Sequence, residues 1–265
     1  DFAASTVGGE LTATATTGNV TQSGSLDING AGTTTITASA SGADIILFNP
    51  LNDFTGAVST TGDDVKLWDK NAINLGAATV AGDYTVYAGT SIDDSGAQII
   101  TGDAAFKTHD DSSQITLNHP SNSFGGTVSY EGGIGFTVND TDATGFVLVG
   151  RTLVGNLVVT AAGPVTQSGA LIVGGFTSIT ATGKNVTLAN ASNDFQAAVQ
   201  IVGAVVKVVD TNGIDLGAST VTGTYRVTAG SAVIDSGTLE ISGITTITAG
   251  SSNNITLDHA TNNFA

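Results

Sequence analysis

Val20-Thr21-Gln22-Ser23-Gly24 returns without a change as Val165-Thr166-Gln167-Ser168-Gly169. A five-residue identity within a chain of 265 residues points to internal repetition, which has to be settled before any other feature is read. The closing Ser-Gly pair recurs at Gly24, Gly96, Gly169 and Gly237. Independent landmarks keep the same beat. Asn52-Asp53-Phe54 comes back as Asn122-Ser123-Phe124, Asn193-Asp194-Phe195 and Asn262-Asn263-Phe264, and the chain opens on the tail of that triplet, Asp1-Phe2. These phenylalanines are 52, 70, 71 and 69 residues apart. A Thr-apolar-x-Gly element begins at Thr6, Thr79, Thr152 and Thr220, and an aspartate closing a short strand recurs at Asp69, Asp140 and Asp210. The pattern predicts four sequence units, 2–53, 54–123, 124–194 and 195–263, the first one coil short.

Within each unit the apolar period is two: Val65-Lys66-Leu67, Tyr84-Thr85-Val86, Ile115-Thr116-Leu117, Val186-Thr187-Leu188, Tyr225-Arg226-Val227. Alternation of this kind marks half-buried strands, and Gly, Asn, Asp and Ser punctuate the gaps as turns require. No segment sustains a 3.6-residue period, and Thr, Val, Ile and Gly disfavour helix. The chain reads as all-β. Strands recur about 20 residues apart, from Ile45 to Val65 and from Val186 to Val206. The short first unit lacks the segment matching Gly62 to Gly76, yet its flanks stay recognisable. A stack of coils tolerates the loss of one rung, whereas a sandwich or barrel would lose its register. The expectation is therefore a β-solenoid over residues 1–265, with about 11 coils of roughly 20–27 residues. Phe54, Phe124 and Phe195 should cap a recurrent corner of its core, and Gly82, Gly155 and Gly223 should supply positive φ at tight turns. Because both ends stop in the same phase of the repeat, the natural chain is expected to continue in both directions.

Composition narrows the function classes. Charged residues make up only 11% of the chain, with 7 basic against 23 acidic and a formal charge of −16. Such a surface neither neutralises phosphates nor favours an anionic membrane, so nucleic acid and membrane insertion are not expected as partners. No stretch approaches the roughly 20 apolar residues of a spanning helix. Cysteine is absent, so no disulfide and no thiol chemistry is available. Forty-one threonines and 35 glycines suit a narrow, repetitive interior built from small and β-branched residues.

The Val-Thr-Gln-Ser-Gly stretches, the Ile-Thr-Ala and Ile-Thr-Leu strands, and the Asn-Asp-Phe corner followed by Gly56 or Gly126 resemble the filamentous haemagglutinin-like adhesins. These are giant bacterial surface proteins exported by two-partner secretion. The resemblance covers essentially the whole chain and is to a repeat region without a catalytic signature. It implies a right-handed parallel β-helix shaft at the bacterial cell surface. Such a shaft projects a binding tip, and its partners are adjoining repeats and neighbouring shafts. The family's secretion-signal domain is absent from this sequence, and the adhesion ligand is not readable from a shaft.

His109, His119 and His259 lie in polar, turn-rich stretches, with His119 and His259 at equivalent places, and read as exposed turn residues. Asp63-Asp64, Asp93-Asp94, Asp110-Asp111 and the Asp140/Asp142 pair have the ligand type for Ca²⁺, but no calcium-repeat or EF-hand pattern surrounds them. Together with Asp69 and Asp210 they read as solvated turn carboxylates. No cofactor is expected beyond loose Ca²⁺ binding, which could bridge shafts into a matrix. A polysaccharide-active β-helix enzyme is the rival reading. It would need paired carboxylates or a basic residue in a cleft, and only Arg151 and Arg226 are on offer, both at outward strand positions. No catalytic, cofactor or metal-binding residue is assigned, and no enzyme is expected. Threonine ridges at Thr12/Thr14, Thr35/Thr37 and Thr246/Thr248 recur about once per unit, too sparse for an ice-binding plane. Trp68 is the odd residue: alternation points it outward beside Lys66 and Lys70, where contact with a glycan or a neighbouring shaft is the functional alternative to a lone exposed ring.

Overall fold

Alternation of buried and outward residues along each short strand is what the chain displays throughout. The structure, a computed structural model, describes residues 1–30, 32–110 and 112–265. Every regular element among them is a β-strand, and no helix is present among them. Val65, Leu67, Tyr84 and Val86 are buried, while Lys66 and Thr85 between them face outward. Parallel pairing places like positions above like, so each interior column is apolar and each outer column polar. The result is an all-β solenoid of stacked parallel strands with about 13 turns in total.

The strands form two compact units, Asp1–Gly133 and Ile134–Ala265. In the first, Val20–Thr21, Ile45–Leu47, Val65–Asp69, Tyr84–Ala88, Ala104–Thr108 and Val128–Glu131 stack as a six-stranded parallel sheet. A second stack runs Leu11–Ala15, Thr34–Ala38, Val58–Gly62 and Ile73–Val80. Ser5–Val7, Leu26–Ile28 and Asp53–Phe54 make a third. The long strand Ile73–Val80 bulges between Leu75 and Ala78, and its halves pair separately with Ile92–Asp94 and Gln98–Ile100.

The second unit repeats this plan. Its six-stranded sheet is Phe146–Leu148, Val165–Gln167, Val186–Leu188, Val206–Asp210, Tyr225–Ala229 and Thr245–Thr248. Its three-stranded sheet is Arg151–Leu153, Leu171–Val173 and Asp194–Phe195.

Two expectations change. The turn count is about 13 and not 11, because a 70-residue sequence unit spans about three and a half 20-residue turns. Equivalent segments of adjacent sequence units therefore land on different faces. Val58–Gly62 belongs to the four-stranded stack of the first unit, whereas its counterpart Val128–Glu131 belongs to the six-stranded sheet. The second change concerns glycine. Positive φ occurs at Gly18, Gly42, Gly145 and Gly183, not at Gly82, Gly155 or Gly223. Gly82 and Gly155 are needed for space: a Cβ on Gly82 would lie 2.2 Å from Asp64 Oδ1, and one on Gly155 2.4 Å from the carbonyl oxygen of Ile134, whereas one on Gly223 would make a tight contact at 3.0 Å with the Ala204 carbonyl oxygen. With rungs about 4.8 Å apart, the turn below fills the volume a side chain would take.

Candidate functional site

The recurring triplet owes its asparagine to a buried clamp between turns. Asn52 is wholly buried. Its Oδ1 accepts from the Leu26 N–H at 2.9 Å and from Gln22 Nε2 at 2.8 Å; its Nδ2 donates to Gln22 Oε1 at 2.9 Å and to the Leu47 carbonyl at 3.1 Å. Asn193 repeats the arrangement with Leu171, Gln167 and Leu188. In the other two sequence units a carboxylate replaces the glutamine: Asn122 donates to Asp94 and Asn262 to Asp235, both at 2.6 Å. A buried amide with all its groups matched adds rigidity, and stripping one partner is costly. The Ser-Gly pair that follows each Gln or Asp is explained by the same corner. A Cβ on Gly24, Gly96 or Gly237 would lie 2.2–2.3 Å from the backbone nitrogen of Ala4, Ala77 or Ala218. The legible signal was therefore a Gln or Asp before Ser-Gly, answered 26 to 30 residues later by Asn-x-Phe.

Most acidic candidates turn out to cap backbone. Asp69 and Asp210, expected as solvated, are buried, as is Asp140. Asp69 Oδ2 accepts from the Phe54 N–H at 2.8 Å and its Oδ1 from the Asn71 N–H at 2.7 Å, and Asp210 treats Phe195 and Asn212 alike. Asp140 accepts from the Asp142 N–H. Within the first unit a ladder climbs one corner: Asn19, Asp44, Asp64 and Asp83 each accept the backbone N–H of the next Asp in turn, up to Asp103, which accepts from Thr127. Each sits immediately before a strand of the six-stranded sheet; of the five, Asp64 alone stood out in the sequence, and there as a Ca²⁺-ligand type. Asp94 takes the Asn118 and His119 N–H groups. Asp110 and Asp142 accept from the hydroxyls of Ser112 and Thr144, which holds both carboxyls below the usual range. Asp111 lies outside the described residues. Among the described residues no three of His, Asp and Glu come together in a group able to hold a metal ion.

Burial sets the ionisation of Asp69. Loss of solvent raises its pKa from 3.8 to about 6, outweighing the Asn71 and Phe54 N–H donors; Asp53 pushes it further up and Lys70 pulls it down. Because the folded value lies above the unfolded one, the folded state gains stability as the carboxyl takes up a proton. That contribution is complete below pH about 3.8 and is lost as pH rises through about 6. The swing is about 3 kcal/mol. Urea unfolding of the first unit should therefore show the wild type gaining that amount over Asp69→Asn between pH 7.5 and 3.8. A difference independent of pH would show that Asp69 titrates as an ordinary surface group.

The remaining candidates separate into two groups. Arg151 and Arg226 are exposed on their strands as expected, and His119 and His259 are half-buried rather than exposed. His119 Nδ1 accepts from the Ser121 N–H, and His259 Nδ1 lies 3.0 Å from Thr261 Oγ1. His109 belongs elsewhere. It is exposed and stacked on Trp68 with ring centroids 5.1 Å apart. Phe48 lies 5.0 Å from both Trp68 and Tyr87, and Trp68 and Tyr87 are 5.2 Å apart. Lys107 Nζ is 5.8 Å from the Tyr87 ring and 3.1 Å from Glu131 Oε1, and Lys70 pairs with Asp53 at 2.8 Å. Trp68 thus faces outward as expected but is half-buried in a cluster of four rings on successive turns. Pairing in register brings Trp68 over Tyr87 and sets Phe48 and His109 beside them.

Four consecutive segments of the chain, 1–61, 62–131, 135–202 and 203–265, match a family model described as repeats of unknown function (DUF5649). The chain belongs to that family. Each DUF5649 repeat in it carries one copy of the Asn clamp and one Ser-Gly corner, so the repeat is a packing unit as well as a sequence unit. No curated protein and no solved structure matches the chain.

Proposed function

We propose that these DUF5649 repeats form a non-catalytic structural segment of a secreted bacterial surface adhesin of the filamentous haemagglutinin-like kind. The supporting observation is that the polar side chains at the corners are spent on holding one turn to the next. The Asn clamps, the aspartate ladder and the buried Asp69 and Asp210 all receive or supply backbone hydrogen bonds. Catalysis needs groups left free to meet a substrate in a cleft. Stacked turns that each bury their own core suit a spacer, because length is gained by adding repeats without redesigning any of them. In this reading the segment lies outside the cell, contacts adjoining repeats of its own chain and neighbouring shafts, and places a binding tip at a distance from the membrane.

The test uses the full-length protein that carries these repeats. Antibody raised against residues 1–265 should label intact cells, and micrographs of the purified protein should show a fibre that lengthens with repeat number. Labelling only after lysis, or a compact particle of fixed size, would overturn the proposal.

A further inference from the structure

We infer that the outer aromatic cluster of the first unit is a binding site for a neutral, extended oligosaccharide, formed by Phe48, Trp68, Tyr87 and His109 with Lys66 and Lys107 beside them. The repeat supplies its own control. At the places of Phe48, Trp68, Tyr87 and His109 the second unit carries Ala189, Val209, Thr228 and Gly250, on strands paired in the same way. The fold therefore does not need the rings. Both units keep a surface groove at this corner, of about 220 Å³ in the first and 260 Å³ in the second. Gln22, Ser23 and Asn49 line the first and Gln167, Ser168 and Asn190 the second, but Ile46, Phe48 and Pro50 wall the first where Thr187 and Ala189 stand in the second.

Charge selects the ligand class. The first unit has 15 acidic residues and three basic ones, Lys66, Lys70 and Lys107. All three are on or at the end of strands of the six-stranded sheet that bears the rings. Lys70 and Lys107 are paired with Asp53 and Glu131, so the patch is nearly neutral within a strongly acidic unit. An anionic ligand would meet the repulsion of the surrounding carboxylates, and a purely apolar one would waste the paired ions and amides. A neutral sugar chain fits both sides of this surface. Its C–H faces carry slight positive charge and are drawn to the negative faces of aromatic rings. Its hydroxyls can both donate and accept, matching Asn49, Lys66 and the Lys107–Glu131 pair, while the Gln22 amide is already held by Asn52 and Gly24. The groove is below the roughly 300 Å³ of enclosed small-molecule sites, which favours a chain laid across several turns over an engulfed monomer. The site stands independently of the adhesin reading, because it rests on this unit's surface alone.

Trp68 is the chain's single tryptophan, so its fluorescence reports on this patch. The 265-residue chain would be titrated with cellohexaose, maltohexaose, mannohexaose and chitohexaose, and with hexagalacturonate as the anionic comparison. At least one neutral hexasaccharide should give a saturable change, and hexagalacturonate should bind more weakly. By calorimetry, the variant Phe48→Ala/Trp68→Val/Tyr87→Thr, which copies the second unit at three of the four ring positions, should lose at least tenfold in affinity while unfolding cooperatively. Should that variant not fold, Tyr87→Thr alone retains the reporter and should lose at least threefold. No saturable change with any neutral sugar, tighter binding of hexagalacturonate, or undiminished binding by the folded variant would each overturn the inference.

Discussion

Asn193→Ala is expected to destabilise the second unit by about 3–5 kcal/mol, a large part of the roughly 5–15 kcal/mol that holds a typical domain. The side chain is wholly buried and joins Leu171, Gln167 and Leu188 across two turns. Alanine leaves the Leu171 N–H and the Leu188 carbonyl without a partner in the interior, at about 1–3 kcal/mol each, and unpairs the Gln167 amide from its main contact. Asn212→Ala is the control. Its exposed side chain donates to Asp194 at 3.2 Å, and its loss should stay within about 0.5 kcal/mol. Urea unfolding followed by circular dichroism separates the two. Equal shifts would remove the clamp from the account of stability.

Deleting a turn should matter less than deleting half of one. Removal of residues 65–83 joins Asp64 directly to Tyr84, which already pairs with Val65 in register. Asp64 then stands where Asp83 stood, one residue before the strand, and can accept the Asp103 N–H as Asp83 did. Besides the exposed Lys70–Asp53 pair and the Gly76 carbonyl that accepts from Gln98 Nε2, the main loss is the acceptor for the Phe54 N–H, since Ala88 falls at the place of Asp69. The variant should fold and lose about 1–3 kcal/mol for that unpaired group. Removal of residues 65–74 instead takes out a strand of the six-stranded sheet and leaves the chain on the wrong face. Interior and outer columns then no longer match, and the cooperative transition of the first unit should disappear. Equal outcomes for the two deletions would contradict turn-by-turn stacking.

Some readings were open to pattern alone. Val65-Lys66-Leu67 and Tyr225-Arg226-Val227 show which residues are interior because a strand has only two faces. Phe54, Phe124 and Phe195 are buried where their recurrence placed them. The aspartates were less transparent. Asp69, Asp140 and Asp210 look like any turn carboxylate in sequence, and their burial follows from which N–H lies opposite, a fact of the turn below. The aromatic cluster was hidden for the same reason. Phe48, Trp68, Tyr87 and His109 are spread over 62 positions of sequence and meet only because successive turns are in register.

The sequence by itself determined the all-β class, the stacked turns of about 20 residues, the four repeats and the inside-outside sense of nearly every strand. Those properties are local: a period of two and a recurring turn signal need no knowledge of what lies alongside. The tertiary structure alone decided the phase. A 70-residue repeat laid on 20-residue turns comes back half a turn out. That offset puts Val58–Gly62 and Val128–Glu131 on different sheets despite their likeness. It also fixes which aspartate meets which N–H and which rings share an outer face, because contacts across the rungs depend on the length of each turn and not on the identity of any one residue.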